Sequence, residues 1–550
     1  MSANSTSPAG SPAQQAVLRA TAEAVRRGDA AAAMRLAAGA VANGEGHPQL
    51  LTLAAHEAMA RGDAGAARTL AERALQSAPR NADAANALGL ALSALNRPRE
   101  AAKAFDTALR QMPNLAPLRF NKASALEEAG ETKAARSEYE RALTLQPVYP
   151  EALARLAAIA ELAGDRAGAR AYAGRALKQN PSLAAAALTL ASVDVEEKNF
   201  ADAIARATPV AGNSNAGAVN RAIAFGLIGD AYHGLGRAAE AFGAYTDSNL
   251  LLQSHFRGAL EGSGVESSLA RAERLRAYFE TAAPWNAERP SLAAPAATHV
   301  FLVGFPRSGT TLLENVLAAH PEVEAMEERD CLSDAIAAFV APPDGLQRLA
   351  ALPPQSEELA EFRAAYWARA SEEGFAPKRK VFIDKLPLNL LYLPLVAKLF
   401  PDAKILFALR DPRDVVLSCF RRRFVMSQHM YELLTLDGTA RFYDAAMALA
   451  MLYRAKLGLD ILDLKYESLV ADFDGETARA CAFLGIDLRA EMRDFAARAR
   501  ARNVNTPSAR QLARGLYGDG RGQWRAYETQ LAPVMPVLAP WLARFGYGEE

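Results

Sequence analysis

The chain has 550 residues, of which 51% are apolar, and 62 basic residues balance 62 acidic ones. This length exceeds that of one ordinary domain, so two or three domains are expected. The neutral balance gives no indication of a nucleic-acid partner or of a polybasic membrane contact. Cys331, Cys419 and Cys481 lie far apart without ligand-like spacing, which excludes a disulfide framework or a cysteine zinc site and fits a reducing compartment.

The N-terminal segment 1–15 is rich in Ser, Ala and Pro and lacks the basic cluster and apolar core of a secretory signal. No stretch approaches the ~18 consecutive apolar residues that span a bilayer. A cytoplasmic protein without a membrane span is therefore expected.

A 34-residue period organises the first half of the sequence. Prolines and small residues recur at this interval, at Pro79, Pro113, Pro147 and Pro181 and at Ala74, Ala108, Ala142 and Ala176. Within the unit 82–113, Leu88 and Leu92 mark one helix face, and Phe105 lies on a second helix. Asn96 stands between them, at a turn that needs a residue tolerant of a left-handed backbone.

A helix–turn–helix unit of this length with these positions resembles the tetratricopeptide (TPR) repeat. The resemblance implies an all-α TPR solenoid over residues 14–260, because each unit must stack on its neighbours to bury its apolar face. The last unit, 222–255, is offset by four residues. Two interpretations stay open: a groove that binds a peptide or protein partner, and a scaffold that positions the next domain or mediates self-association.

The pattern changes after the repeats. Residues 261–297 are predicted to form a helical and Pro-rich linker, and residues 298–550 a second domain. A short apolar run that is typical of a buried parallel strand stands at 299–303, and further strands are predicted at 381–383, 404–409 and 459–464. Because predicted helices follow these strands, an α/β domain with a parallel sheet covered on both faces is expected.

The segment 304–311, GFPRSGTT, follows the first of these strands. In such a turn, backbone N–H groups and the N-terminus of the next helix hold phosphate. Gly304 and Gly309 have the Walker A spacing, but Thr310 and Thr311 stand where an ATPase loop has Lys and Ser/Thr, and the basic residue is Arg307. This departure disfavours a P-loop kinase or NTPase.

The loop resembles the 5′-phosphosulfate loop of the sulfotransferases that use PAPS (3′-phosphoadenosine-5′-phosphosulfate). That family has an Arg after a central strand and, eight residues later, a Ser, which hold the 3′-phosphate; Arg410 and Ser418 match them. The resemblance implies a P-loop-like sulfotransferase domain that uses PAPS, releases PAP and needs no metal. It also implies that the 5′ side of the cofactor contacts Arg307, Ser308, Gly309, Thr310 and Thr311.

Within this family, the tyrosylprotein sulfotransferases match more closely. They share a His-Pro pair after the loop, here at 320–321, then a Glu-Glu pair, and a Lys after a second strand. This resemblance implies that Glu328 is the catalytic base and that Lys385 and Arg307 stabilise the sulfuryl group and the leaving phosphate. His320 is expected to be a cation at a helix C-terminus without a chemical role.

The same resemblance implies that Tyr466 and Ser508 contact the cofactor. The relatives have a Lys or Arg before a C-terminal Trp, but Gln523 stands there in this chain, so Arg521 or Arg525 is expected to reach the 3′-phosphate. His429 lies in the segment 421–430, which either gates the acceptor or is a basic surface loop.

The sequence thus predicts a TPR solenoid followed by a PAPS-dependent sulfotransferase whose acceptor is a hydroxyl, with a protein or peptide tyrosine favoured. A carbohydrate or lipid hydroxyl is the alternative acceptor. Two other classes are a P-loop kinase or NTPase and a non-catalytic TPR adaptor with a decayed enzyme domain. The adaptor predicts loss of the cofactor residues, whereas Arg307, Arg410 and Ser418 are present.

Overall fold

A computed structural model of the chain describes residues 11–262, 264–285, 290, 292, 295–375, 379–496 and 520–548. These residues form two compact units, of which the first ends at Glu197 and the second begins at Lys198. No helix within these ranges is both long enough and apolar enough to cross a bilayer.

The described part of the first unit is built from helices joined by short turns. Its helices are α1 (Pro12–Arg26), α2 (Ala30–Ala42), α3 (Pro48–Ala60), α4 (Ala64–Ser77), α5 (Ala82–Ala94), α6 (Pro98–Gln111), α7 (Ala116–Glu128), α8 (Thr132–Leu145), α9 (Pro150–Leu162), α10 (Arg166–Gln179) and α11 (Ala184–Glu196). Successive helices pack in pairs, as the 34-residue period predicts.

The turn between the helices of a pair has the predicted left-handed backbone. Asn96 has φ 56°, and the equivalent Gly62, Gly130 and Gly164 have φ 81°, 79° and 76°. Gly89 allows the close helix approach, because a Cβ atom there would lie 2.5 Å from the ring of Phe105. The predicted all-α repeat array is therefore confirmed.

The second unit begins with the helices α12 (Phe200–Gly212), α13 (Ala218–Gly234), α14 (Ala238–Leu260) and α15 (Ser268–Thr281). Gly229 and Tyr245 repeat the packing of an array pair, since a Cβ atom at Gly229 would lie 2.5 Å from the Tyr245 ring. Tyr245 also belongs to the core that covers one face of the sheet. The boundary between repeats and linker at 260/261 stays a prediction from sequence.

The remainder of the second unit is an α/β fold. Its strands are β1 (Thr298–Gly304), β2 (Val323–Glu327), β3 (Val381–Lys385), β4 (Lys404–Leu409) and β5 (Asp460–Lys465). Its other helices are α16 (Thr310–Ala318), α17 (Ser333–Phe339), α18 (Gly345–Ala351), α19 (Glu357–Glu372), α20 (Leu393–Leu399), α21 (Pro412–Arg421), α22 (Gln428–Tyr431), α23 (Leu436–Lys456), α24 (Tyr466–Ala471), α25 (Phe473–Leu484), α26 (Glu528–Leu531) and α27 (Met535–Phe545).

The five described strands form one parallel sheet with the order β2-β3-β1-β4-β5. The register aligns their carboxyl ends, since Leu302 and Glu327 both pair with Lys385, and Leu409 pairs with Lys465. β1 and β3 are neighbours, but the connection from β1 runs to β2 at one edge of the sheet, whereas the connection from β3 runs to β4 in the opposite direction. Parallel sheets bind ligands at such a reversal, outside the carboxyl ends of the strands.

Alternating side chains of each strand enter two cores. Val300 and Leu302 of β1 join α16, α24 and α25 on one face, and Phe301 and Val303 join α15, α20 and α23 on the other. The sheet is thus covered on both faces, which confirms the predicted α/β fold.

Four of these strands were predicted from the sequence, and β2 was not. Within the acidic run 322–330, Val323, Ala325 and Met326 are buried, and Glu324 and Glu327 are partly exposed. Because β2 is an edge strand of the sheet, it tolerates polar side chains that an inner strand excludes.

Candidate active site at the carboxyl edge of the sheet

The segment 304–311 forms a turn between β1 and α16. Arg307 has φ 71° and Gly309 has φ 101°, so the backbone twice adopts the left-handed conformation. Alternation of this kind directs successive N–H groups toward one point and creates an anion-binding concavity in front of a helix N-terminus. A non-glycine residue at positive φ costs free energy, and such strain concentrates at functional sites.

Three side chains of this turn are enclosed. Ser308, Thr310 and Thr311 are all buried, and the Ser308 Oγ atom has no hydrogen-bond partner among the described residues. Gly309 is required here for space as well as for its φ, because a Cβ atom would lie 3.1 Å from the ring of Tyr466. The turn therefore contains a buried hydroxyl, that of Ser308, which can donate to a ligand.

The structure brings Arg410 and Ser418 to this turn. The Nε atom of Arg307 donates to Ser418 Oγ at 3.0 Å, and the Nη1 atom of Arg410 donates to the Arg307 carbonyl at 3.0 Å. Another nitrogen of Arg410 bonds to the Gly520 carbonyl, while its buried Nε atom has no partner within the described ranges. Two motifs that lie 103 residues apart thus meet at one place.

Tyr466, at the start of α24, encloses the same place. Its ring lies 5.1 Å from the Arg410 guanidinium carbon, a distance that allows a cation–π contact. A Cβ atom at Gly520 would lie 2.7 Å from its hydroxyl. The neighbouring Glu467 has a different role, since it accepts from the Asp411 N–H at 3.1 Å and from the Tyr547 hydroxyl at 2.7 Å.

The segment 520–527 is fixed to the start of α21. The carboxylate of Asp414 accepts from the backbone N–H of Gly522 at 2.7 Å and of Trp524 at 2.9 Å. Arg521 and Arg525 are both exposed. A contact of either one with a phosphate stays a prediction, and the predicted Ser508 lies outside the described residues.

The predicted Lys385 is fully buried and contacts three carboxylates. Its Nζ atom lies 2.8 Å from Glu328 Oε1, 3.2 Å from Glu314 Oε2 and 3.6 Å from Glu327 Oε1. Burial alone would lower the pKa of Lys385, but Glu314, Glu328 and Glu327 outweigh it, so that its pKa is raised. Lys385 is therefore a charged ammonium group at the carboxyl end of β3.

Glu328 follows β2 directly and has a strained backbone with φ 47°. Its N–H donates to the Lys385 carbonyl at 2.8 Å, while its side chain is 41% exposed. The carboxylate thus contacts the buried lysine and is open to solvent at once. That arrangement suits a group that exchanges a proton with a bound molecule.

The expectation that His320 is a cation is wrong, and its lack of a chemical role stays a prediction. His320 is fully buried, its Nδ1 atom accepts from the Glu322 N–H at 3.0 Å, and its Nε2 atom lies 2.9 Å from the Asp487 carbonyl. Because one ring nitrogen accepts and the other must donate, the imidazole is neutral rather than a cation.

His429 lies next to an aromatic cluster. Its ring stacks on Phe442 with centroids 6.3 Å apart, and its Nε2 atom lies 3.5 Å from the Tyr392 hydroxyl. Burial, assisted by Arg271, lowers the pKa of His429 to about 4. The side chain is thus a neutral, largely enclosed imidazole, and a gating role for the segment 421–430 stays a prediction.

The sequence analysis did not identify Glu314, Glu327 or Asp414 as parts of this site. The place of Glu314 beside the turn could have been found, because it lies three and four residues after Thr311 and Thr310 and therefore on the same side of α16, but its contact with Lys385 could not. The contact of Glu327 with Lys385 could not be predicted without β2. The contacts of Asp414 could not be predicted without the position of the segment 520–527.

A parallel sheet with a phosphate-binding turn at its carboxyl edge defines the P-loop-like α/β class of proteins. Residues 299–490 match the model of the sulfotransferase family, and residues 116–149 match a tetratricopeptide repeat model. The chain therefore combines tetratricopeptide repeats with a domain of the sulfotransferase family, as predicted.

Curated relatives cover parts of the chain. It is 31% identical over 229 residues to the nodulation protein NoeE of Sinorhizobium fredii. The matched region covers 35% of this chain and 51% of that protein. It is 28% identical over 164 residues to protein-tyrosine sulfotransferase 1 of Rattus norvegicus, and the matched region covers 29% of this chain and 44% of that protein. A protein of Aquifex aeolicus is 26% identical over 252 residues, 44% of this chain and 32% of that protein. The chain thus spans about a third to a half of the length of these relatives.

Among solved structures, the chain is similar to PilW, a type IV pilus biogenesis factor, at 22% identity and a TM-score of 0.33. The similarity covers 38% of this chain and 96% of that one. This score is too low to support an inference, so the repeat assignment rests on the family match and on the helices themselves.

Proposed function

We propose that residues 298–550 form a sulfotransferase that moves a sulfuryl group from PAPS to an acceptor hydroxyl. The observation that carries this proposal is the meeting of Arg307, Arg410 and Ser418 at one turn, joined by hydrogen bonds of 3.0 Å. An ATP-type loop places its cation after the second glycine, where this chain has Thr310. The cations here flank the turn instead, as a nucleotide with phosphates at both its 5′ and 3′ positions requires.

The residues fit PAPS. The Ser308 Oγ and Arg410 Nε atoms are buried without partners among the described residues, and a buried polar atom left unpaired costs about 1–3 kcal/mol. Oxygen atoms of a bound nucleotide would pair with both. In this proposal the turn residues, Arg307, Ser308, Gly309, Thr310 and Thr311, hold the 5′ side. The 3′ side is held by Arg410, Ser418 and either Arg521 or Arg525, and Tyr466 and Ser508 also contact the cofactor.

When bound, PAPS supplies the sulfuryl group. Glu328 takes the proton of the acceptor hydroxyl, since its carboxylate is the most exposed of the three that contact Lys385. Lys385 and Arg307 bring positive charge to the oxygens on which negative charge increases. The contact of 2.8 Å between Lys385 Nζ and Glu328 Oε1 fixes the base beside that charge.

A protein or peptide tyrosine is the acceptor that we favour. The support is the similarity to a protein named as a protein-tyrosine sulfotransferase, together with repeats of a type that commonly binds peptides. In this proposal the repeat array binds the acceptor or a partner protein, and a carbohydrate or lipid hydroxyl is the other acceptor class. A cytoplasmic location fits the three cysteines, which are free and buried.

A pair of glutamate substitutions tests the assignment of the base. Glu328→Gln should bind PAP as tightly as the native chain. Its transfer of label from radiolabelled PAPS should be slower by a factor of about 10² or more, because loss of a general base has an effect of that size. Glu322→Gln is the matched control, because Glu322 is an exposed glutamate at the opposite end of β2. Native transfer by Glu328→Gln would show that the base is another group.

A further inference from the structure

Glu314 is a buried acid to which the proposed function assigns no role. It lies on α16, one turn after Thr310, and its side chain is only 3% exposed. Its Oε2 atom lies 3.2 Å from the Nζ atom of Lys385. A buried carboxylate needs a partner of opposite charge, and a buried ammonium group needs one equally.

Charge balance around Lys385 shows what this contact does. If Glu328 were the only counter-ion of Lys385, its protonation would leave a buried cation unpaired. The ammonium group would then resist proton uptake by Glu328 and weaken it as a base. A second carboxylate that stays ionised removes this conflict.

The surrounding charged groups do not replace Glu314 in that role. Glu327 lies farther from Lys385, at 3.6 Å, and is 28% exposed. Asp384 points to the opposite face of β3, where it accepts from the Tyr366 hydroxyl at 2.8 Å. Asp330 lies beyond Glu328 in the following loop, and Arg329 pairs with Glu373 at 3.4 Å.

We propose that Glu314 is a positioning residue: it is the permanent counter-ion of Lys385, and it thereby leaves Glu328 free to take the acceptor proton. The inference rests on the proposed function, because it gives Glu328 the role of base. The proton leaves the acceptor oxygen and stays on the Glu328 carboxylate, while the pair of Lys385 and Glu314 keeps its charges. Lys385 thus stays a cation with a counter-ion both before and after the proton moves.

The test is the pH–rate profile of Glu314→Gln in the full chain. Because Glu314→Gln removes a negative charge beside Lys385 and Glu328, the acidic limb should move to lower pH, and kcat at the plateau should fall by up to about tenfold. The KM of the acceptor and the affinity for PAP should stay within about twofold of native. Glu314→Asp, which retains the charge, should return the limb to its native position. An unchanged limb in Glu314→Gln would overturn the proposal, even if the variant were less stable.

A double-mutant cycle in unfolding keeps this inference separate from the proposed function. Glu314→Gln should destabilise the native chain strongly, whereas the same substitution in a Lys385→Gln background should cost little, because no buried cation is then left unpaired. Equal costs in the two backgrounds would overturn the pairing. If the native chain transferred no sulfuryl group to any acceptor, the proposed function would fail, and this cycle would still decide whether Glu314 neutralises Lys385.

Discussion

Because Glu328 has a left-handed backbone, glycine at this position should give a more stable protein than alanine, the reverse of the usual order. At φ 47° a residue with a Cβ atom pays about 1–2 kcal/mol for the left-handed conformation, and glycine does not. Glycine loses about 0.4–1 kcal/mol relative to alanine through the greater freedom of its unfolded chain. Glu328→Gly should therefore be more stable than Glu328→Ala by about 1 kcal/mol, since both variants lose the same carboxylate.

The neighbouring Arg329 provides the matched control. It is also exposed and follows the same strand, but its φ is not positive. Arg329→Gly should consequently be less stable than Arg329→Ala, by about 0.4–1 kcal/mol. The sign of the difference between glycine and alanine should thus reverse between two adjacent positions.

Urea unfolding followed by tryptophan fluorescence measures this difference. The chain has four tryptophans, at 285, 367, 524 and 541, and all of them lie in the second compact unit, so the signal reports on the unit that contains Glu328. The two variants of a pair should have equal m-values and different midpoints. A Glu328→Ala variant as stable as Glu328→Gly, or more stable, would refute the assignment of strain to this residue.

Three other predictions concern the cofactor turn and the core. Gly309→Ala should weaken PAP binding at least about tenfold by calorimetry, because its Cβ atom would meet the Tyr466 ring at 3.1 Å in a backbone with φ 101°; native affinity would contradict this. Arg410→Ala should weaken PAP binding by about 1.5–3 kcal/mol, the range for a hydrogen bond to a charged group, with a smaller effect expected for removal of the exposed Arg525. Burial lowers the pKa of His299 to about 3. As the pH falls, His299 therefore takes up a proton near pH 6.5 in the unfolded chain but stays neutral in the folded chain. The free energy of unfolding should decrease by about 2 kcal/mol from this group between pH 7.5 and pH 5. In acid unfolding, His299→Phe should lose less stability than the native chain over that interval, and an equal loss would show that His299 is not the group responsible.

The phosphate turn and the inner strands could be predicted because their signals are local. An inner parallel strand is buried on both faces, so 404–409 reads as one continuous apolar run, and the structure places β4 at these residues. The turn 304–311 is recognisable because its glycines and threonines are required by the backbone and not by distant partners. Asn96 illustrates the same point in the repeats, where a turn residue has the positive φ that its position predicts.

The edge strand and the carboxylate cluster could not be predicted in the same way. In β2 the buried positions are separated by glutamates, so the strand resembles an acidic loop unless its partner β3 is known. The contacts of Lys385 connect α16, β2 and β3. Because β3 lies far from α16 and β2 in the sequence, the contacts cannot be inferred from residue spacing. Glu314 became visible as a partner of Lys385 only when the fold placed α16 against the end of β3.

Transfer of a sulfuryl group from PAPS is the activity proposed for this chain. Its most direct test incubates the full chain with radiolabelled PAPS, in the presence of a metal chelator, and with separate tyrosine peptides, glycans and lipids as acceptors. Label should pass to a hydroxyl of at least one acceptor, and PAP should be released in equal amount. Absence of transfer to every acceptor, with turnover of ATP that requires Mg²⁺, would contradict it.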